Sequence, residues 1–82
     1  MILPPWTEKL TRTIRDRVDD VTLRTRDDVR RYIEAIPAQR SMSIQWHVAI
    51  KLLLGGADAE AVTQAVKLAL QYEGRLDERG EH

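Results

Sequence analysis

The sequence predicts an all-α protein, a small four-helix bundle. Apolar residues recur at helical spacing in four segments, near 8–22, 26–36, 43–54 and 58–73. Capping residues precede these segments, and proline or glycine ends the second, third and fourth. A chain of 82 residues suits one domain, which we expect to cover 1–76, with a polar, frayed tail over 77–82.

The first predicted helix begins at Thr7, a residue type that commonly caps helices. Its apolar residues recur at spacings of four, four and three, and form one narrow stripe: Leu10, Ile14, Val18 and Val21. The other positions are charged, so we expect this helix to lie outside with its stripe docked. Its end near Thr22 is open, because residues 21–23 also suit a short extended connector.

The second predicted helix opens with a capping box, in which Thr25 caps and Asp28 replaces the usual Glu. Pro37 ends it, because the residue before proline avoids helical angles. Ser43, or else Ser41, caps the third helix, and Asp58 caps the fourth.

The third predicted helix is apolar on two sides. One side, with Trp46, Ile50 and Leu53, belongs in the core, and the other carries Ile44, Val48 and Leu52. Gly55-Gly56 ends the helix and makes the fourth helix its antiparallel neighbour. The fourth helix carries an apolar arc about 200° wide, so the two helices offer more apolar surface than the narrow stripes of the first two cover.

An uncovered apolar surface normally marks an interface, and a two-fold homodimer is the simplest cover for it. The sequence therefore predicts a non-enzymatic, cytoplasmic protein that acts through protein–protein contacts and self-associates. The expected interface residues are Ile44, Val48, Leu52, Val66 and Leu70. The alternative is a monomer whose N-terminal segment, including Ile2, Leu3 and Trp6, wraps over the same surface.

A second hypothesis is a small regulator that binds nucleic acid or another polyanion through the first two helices. Its contact residues would be Arg12, Arg15, Arg24, Arg26, Arg30 and Arg31. Acidic residues are interleaved with these arginines, and 13 basic residues balance 13 acidic ones over the chain. Nucleic-acid binders usually carry a basic surplus, which makes nucleic acid the less favoured partner.

No motif in the sequence carries catalytic, cofactor or metal chemistry, so we expect neither enzyme activity nor a cofactor nor a metal site. His47 lacks partners at ligand spacing, and the chain has no cysteine. The pairs Asp19-Asp20 and Asp27-Asp28 suit solvated faces and helix caps better than acid–base work. No apolar run is long enough to span a bilayer, which predicts no membrane partner.

Overall fold

The chain folds as an α+β domain, and the prediction of an all-α four-helix bundle is wrong. The computed structural model describes residues 6–77. An N-terminal β-hairpin takes the place of the first predicted helix, whereas the other three predicted helices are present and one short helix is added. The elements are β1 (Lys9–Asp16), β2 (Val21–Thr25), α1 (Arg26–Ala35), α2 (Ala38–Ser41), α3 (Ile44–Leu54) and α4 (Ala59–Tyr72).

The β-hairpin explains why the helical prediction for 8–22 failed. A spacing of four residues is two strand repeats as well as about one helical turn, so Leu10 and Ile14 share a face in either structure. In the hairpin both are buried, and Asp16 continues the same inward face. The turn contains Asp20 at φ 57°, a left-handed conformation that aspartate tolerates better than most residues. Thr7 accordingly caps no helix.

The pairing of β1 with β2 is antiparallel and irregular. Ile14 pairs with Leu23, and Asp16 pairs with Val21, but the register shifts between Ile14 and Lys9, which pairs with Thr25. The bulged part of β1 is held from outside the sheet, because the Thr11 N–H donates to Thr63 Oγ1 on α4 at 3.0 Å. The buried Thr63 hydroxyl in turn donates to the Ala59 carbonyl at 2.6 Å. Helix α4 therefore positions the hairpin.

The segment after α4 extends the sheet at the edge of β1. Leu76 forms an antiparallel bridge with Asp16, and the Arg17 N–H donates to the Arg75 carbonyl at 2.8 Å. The Asp77 N–H donates to the Arg15 carbonyl at 2.9 Å, so this first residue of the predicted frayed tail is hydrogen-bonded. The rest of that tail, 78–82, lies outside the described residues.

The helix boundaries follow the capping residues. Thr25 and Asp28 form the predicted capping box, and the Ser43 and Asp58 side chains accept from backbone N–H groups of α3 and α4. Gly56, at φ 76°, makes the left-handed turn between α3 and α4 that favours glycine. Helices α3 and α4 pack against each other across this turn as a helical hairpin.

One core joins the hairpin to the helices. The inward face of the strands packs against α1 and α4, and Trp46 of α3 lies fully buried among them. Its indole ring contacts the Tyr32 ring of α1, with centroids 5.5 Å apart. The fully or nearly fully buried apolar residues are Ile14, Leu23, Val29, Trp46, Ala49, Leu53, Val62, Val66, Ala69 and Leu70.

Candidate functional site

Four large apolar side chains of α3 and α4 remain exposed next to one another. Their exposed fractions are 75% for Ile44, 48% for Val48, 57% for Leu68 and 70% for Tyr72. We call these four residues the α3–α4 surface. Exposed single apolar residues are common on proteins, but a contiguous set marks a binding surface.

Helical spacing and the Gly-Gly turn bring these residues together. Ile44 and Val48 are one turn apart on α3, and Leu68 and Tyr72 are one turn apart on α4. Two grooves run between the helices and share Gln45 and Leu68, so the surface is continuous. One groove, of about 150 Å³, is lined by Ile44, Gln45, Val48, Ala65 and Leu68. The other, of about 340 Å³, is lined by Gln45, Leu68, Gln71 and Tyr72.

The stripe on α4 has the spacing of a coiled-coil seam. Ala61, Ala65, Leu68 and Tyr72 follow one another at intervals of four, three and four residues. Ala65 is 8% exposed and belongs to the core of the chain, whereas the Leu68 and Tyr72 side chains stand out from the C-terminal half of α4. The part of the stripe that is open to another helix is therefore its C-terminal half.

The margins of the α3–α4 surface are mostly uncharged. Gln64 and Gln71 border it along α4, and Gln45 lies between the two helices. The nearest charged positions on the helical wheel are the exposed Lys51 on α3 and Glu60 on α4, and their charges are opposite. Glu60 accepts a hydrogen bond from the Gln64 amide at 3.3 Å.

Of the five predicted interface residues, two are exposed, one is half-buried and two are fully buried. Ile44 and Val48 are exposed, as expected for an interface. Leu52 is half-buried against the core. Val66 and Leu70 are fully buried, because they lie on the side of α4 that packs against the sheet, and so they do not belong to an exposed surface. Leu68 and Tyr72 take their place, and the four-three-four spacing that starts at Ala61 is the sequence signal for them.

The six arginines proposed for anion binding do not form one free surface. Arg26 is only 2% exposed, and its Nε lies 2.6 Å from the Glu8 carboxylate. Arg30 bonds to Asp27 at 2.6 Å and to Glu34 at 3.0 Å, and Arg31 pairs with the same Asp27. Arg15 pairs with Asp20 and Asp77, whereas the other two lie exposed on the strands: Arg12 and Arg24.

A buried polar network holds the β-hairpin to the helices. Asp16 is fully buried and accepts hydrogen bonds from the Tyr32 hydroxyl, the Arg75 Nε at 3.1 Å and the Val18 N–H at 2.9 Å. Burial alone would raise the pKa of the Asp16 carboxyl, but these hydrogen bonds outweigh burial and lower the pKa from its ordinary value. Burial and the Asp16 carboxylate also raise the pKa of Tyr32.

The network continues through Arg40 of α2. Its guanidinium donates to the Tyr32 hydroxyl at 2.8 Å and to both Glu73 carboxylate oxygens, at 2.7 and 3.0 Å. Burial would raise the pKa of Glu73, but the hydrogen bonds from Arg40 outweigh burial and lower it. The same carboxylate raises the pKa of Arg40. Since these groups bind one another inside the domain, the geometry of the network suits a structural role, in which it holds the β-hairpin to the helices.

The other polar residues considered from the sequence are helix-capping, salt-bridged or simply exposed. Asp28 completes the α1 capping box, and Asp27 bonds to Arg30 and Arg31. His47 is exposed on α3. Over residues 6–77, no group of three or more His, Cys, Asp or Glu side chains has an arrangement that would hold a metal ion. Within the same range, no helix has the length and apolar character needed to cross a membrane.

A third groove, also apolar, lies on the opposite flank of α3, against α1. It has a volume of about 150 Å³ and includes Leu54, whose exposed fraction is 61%. Trp6, where the described chain begins, lies at this flank with the Arg30 guanidinium 5.5 Å above its ring. The Asp27 N–H also donates to the Trp6 carbonyl at 3.0 Å. The other residues of the proposed N-terminal cover, Ile2 and Leu3, lie outside the described residues.

Comparison with known proteins adds no relative. No family model matches the chain, and neither a curated protein nor a solved structure is significantly similar to it.

Proposed function

We propose that this protein is a non-enzymatic interaction protein that binds another protein through the α3–α4 surface. The observation that carries the proposal is the contiguous exposure of Ile44, Val48, Leu68 and Tyr72 on the helical hairpin of α3 and α4. Burying these side chains against a partner removes apolar area from water, which is the main driving force of protein association. Tyr72 adds an aromatic residue of the kind enriched at binding hot spots.

The polar chemistry of the chain supports an interaction role over an enzymatic one. Two carboxyl groups whose pKa values are lowered despite burial, Asp16 and Glu73, are bound to Tyr32, Arg40 and Arg75 within the domain. Asp16 is fully buried, so a substrate in solvent does not reach it. The grooves on the α3–α4 surface are lined by apolar side chains, glutamine amides and the phenol of Tyr72, and no carboxylate, histidine, lysine, serine or cysteine lines them beside that phenol.

Site-specific photo-crosslinking in the native host tests this proposal. A photoreactive phenylalanine analogue at position 68 is expected to give a discrete protein adduct. The matched control is the same analogue at position 54, because Leu54 has a similar exposed fraction, 61% against 57%, but lies outside the α3–α4 surface. Equal adduct formation from both positions, or none from position 68, would contradict the proposal.

A further inference from the structure

We infer that the partner of the α3–α4 surface is a second copy of this chain, in a two-fold dimer that forms an antiparallel bundle of four helices. This inference rests on the proposed function of the surface and names its occupant. In the dimer, α3 of each copy packs against α4 of the other, so that Ile44 and Val48 meet the Leu68 and Tyr72 side chains of the second copy.

The size of the surface suits such a dimer. The four apolar side chains leave on the order of 500 Å² uncovered, as much as the largest patch on a typical monomer. The exposed glutamines at its margins, Gln64 and Gln71, extend this area toward the roughly 800 Å² per partner that a standard stable interface buries. A dimer on this surface therefore falls at the small end of the standard size class.

The charges of the surface favour self-association over binding to a charged partner. A two-fold axis brings equivalent surfaces together, so a charge of one sign near the centre would repel its own copy. The uncharged residues between the apolar side chains and along α4 are Gln45, Gln64 and Gln71, which can donate and accept hydrogen bonds. The charged Lys67, one turn before Gln71, lies farther round the outer margin of α4. The centre of the surface therefore brings no like charges together.

The charged residues at the outer margins of the surface favour one direction of the two-fold axis. Lys51 on α3 and Glu60 on α4 both lie near the Gly55-Gly56 turn. When the two-fold axis runs parallel to the helices, Lys51 of one copy faces Glu60 of the other, and all neighbouring helices are antiparallel. A dimer whose two-fold axis runs perpendicular to the helices would instead place the two Gly55-Gly56 turns at opposite ends and so separate these opposite charges.

The position of Trp6 argues against this residue as the cover of the α3–α4 surface. Trp6 contacts Arg30 of α1. Helix α1 lies along the Ile50–Leu54 flank of α3, whereas α4 lies along the Gln45 flank. Trp6 is thus on the other side of α3 from the α3–α4 surface.

Sedimentation equilibrium from low to high micromolar concentration tests the inference. The wild-type chain is expected to show a reversible transition from 9.5 kDa to twice that mass. Leu68→Lys is expected to raise the dimer dissociation constant at least tenfold, while the matched Leu54→Lys variant leaves it within twofold of wild type. Circular dichroism establishes that each variant is folded, and Ile44→Lys replaces Leu68→Lys should the latter unfold, because Ile44 is 75% exposed.

A wild-type chain that stays at 9.5 kDa throughout, or equal weakening by the Leu68 and Leu54 variants, would overturn the inference. The photo-crosslink at position 68 then separates the two proposals. An adduct with a different protein would leave the interaction function standing and remove only the second copy, whereas the absence of any adduct would remove both.

Discussion

The β-hairpin and the α3–α4 surface differ in the burial of their most prominent side chains. At the hairpin, Asp16 is buried and binds Tyr32 and Arg75 within the domain. On the α3–α4 surface, Leu68 and Tyr72 are apolar and more than half exposed. A buried charge must find its partners inside the fold, whereas an apolar side chain is left outside only at the cost of unfavourable contact with water. The polar region is therefore complete by itself, and the apolar region is the one that gains by binding.

The largest expected effect comes from breaking the polar network. Asp16→Asn removes the buried charge that Arg75 and Tyr32 bind, which typically costs about 3–5 kcal/mol of the free energy of unfolding. The matched control is Asp20→Asn, since Asp20 is 74% exposed and asparagine tolerates its positive φ. Urea denaturation is expected to show a change below about 1 kcal/mol for the control. Equal effects of the two variants would show that the network does not hold the hairpin.

Acid should weaken the polar region selectively. The pKa values of Asp16 and Glu73 are lowered from 3.8 and 4.5 in the folded chain, so the unfolded chain binds more protons as pH falls. The free energy of unfolding should therefore be constant above about pH 5 and fall as pH drops through the ordinary carboxyl range. Urea titrations across this range should show a shallower fall for Asp16→Asn than for wild type. An identical pH dependence would exclude Asp16 as a source of the effect.

Substitution of two leucines of α4 compares the exposed side of that helix with its buried side. Leu68→Ala should weaken self-association about tenfold, or about 1.4 kcal/mol, with a change below about 0.5 kcal/mol in monomer stability. Leu70→Ala should lower monomer stability by about 2–5 kcal/mol, because Leu70 is fully buried. Urea denaturation at low concentration and sedimentation at high concentration measure the two quantities. A larger stability loss for the Leu68 variant would reverse the assignment of the two sides.

The smallest expected effect concerns the margins of the dimer. Lys51→Glu or Glu60→Lys should each weaken association by about 0.2–1 kcal/mol, and the double variant should recover most of the loss. Added salt should reduce these differences, because the pair lies at the edge of the interface. Additive losses in the double variant would rule out the arrangement in which α3 of one copy faces α4 of the other.

The helical part of the fold could be predicted from sequence because its ends carry local chemistry. Thr25, Ser43 and Asp58 each accept a backbone hydrogen bond at a helix start, and Pro37 and Gly56 mark the ends. The hairpin could not be recognised in the same way, because Leu10 and Ile14 fit one face of a helix and of a strand equally well. Asp16, which continues the strand face, has a charged side chain whose burial depends on Arg75, 59 residues later.

The failure to predict the β-hairpin also limits the prediction of the candidate site. On α3 the polar residues left two sides distinguishable, and Ile44 and Val48 were correctly separated from Trp46 and Leu53. On α4 the apolar arc is too wide to show which side faces inward, and only the packing of β1 against α4 decides it. That packing buries Val66 and Leu70 and leaves Leu68 and Tyr72 exposed.

Amide NMR spectra of the wild-type chain over a concentration series test the central claim most directly, because one experiment reports on both regions. Shift changes upon dilution are expected to cluster at Ile44, Val48, Leu68 and Tyr72. The signals of the polar network, Asp16, Tyr32 and Arg75, should stay constant. Spectra without concentration dependence, or changes centred on the β-hairpin, would show that the α3–α4 surface is not where the chain associates.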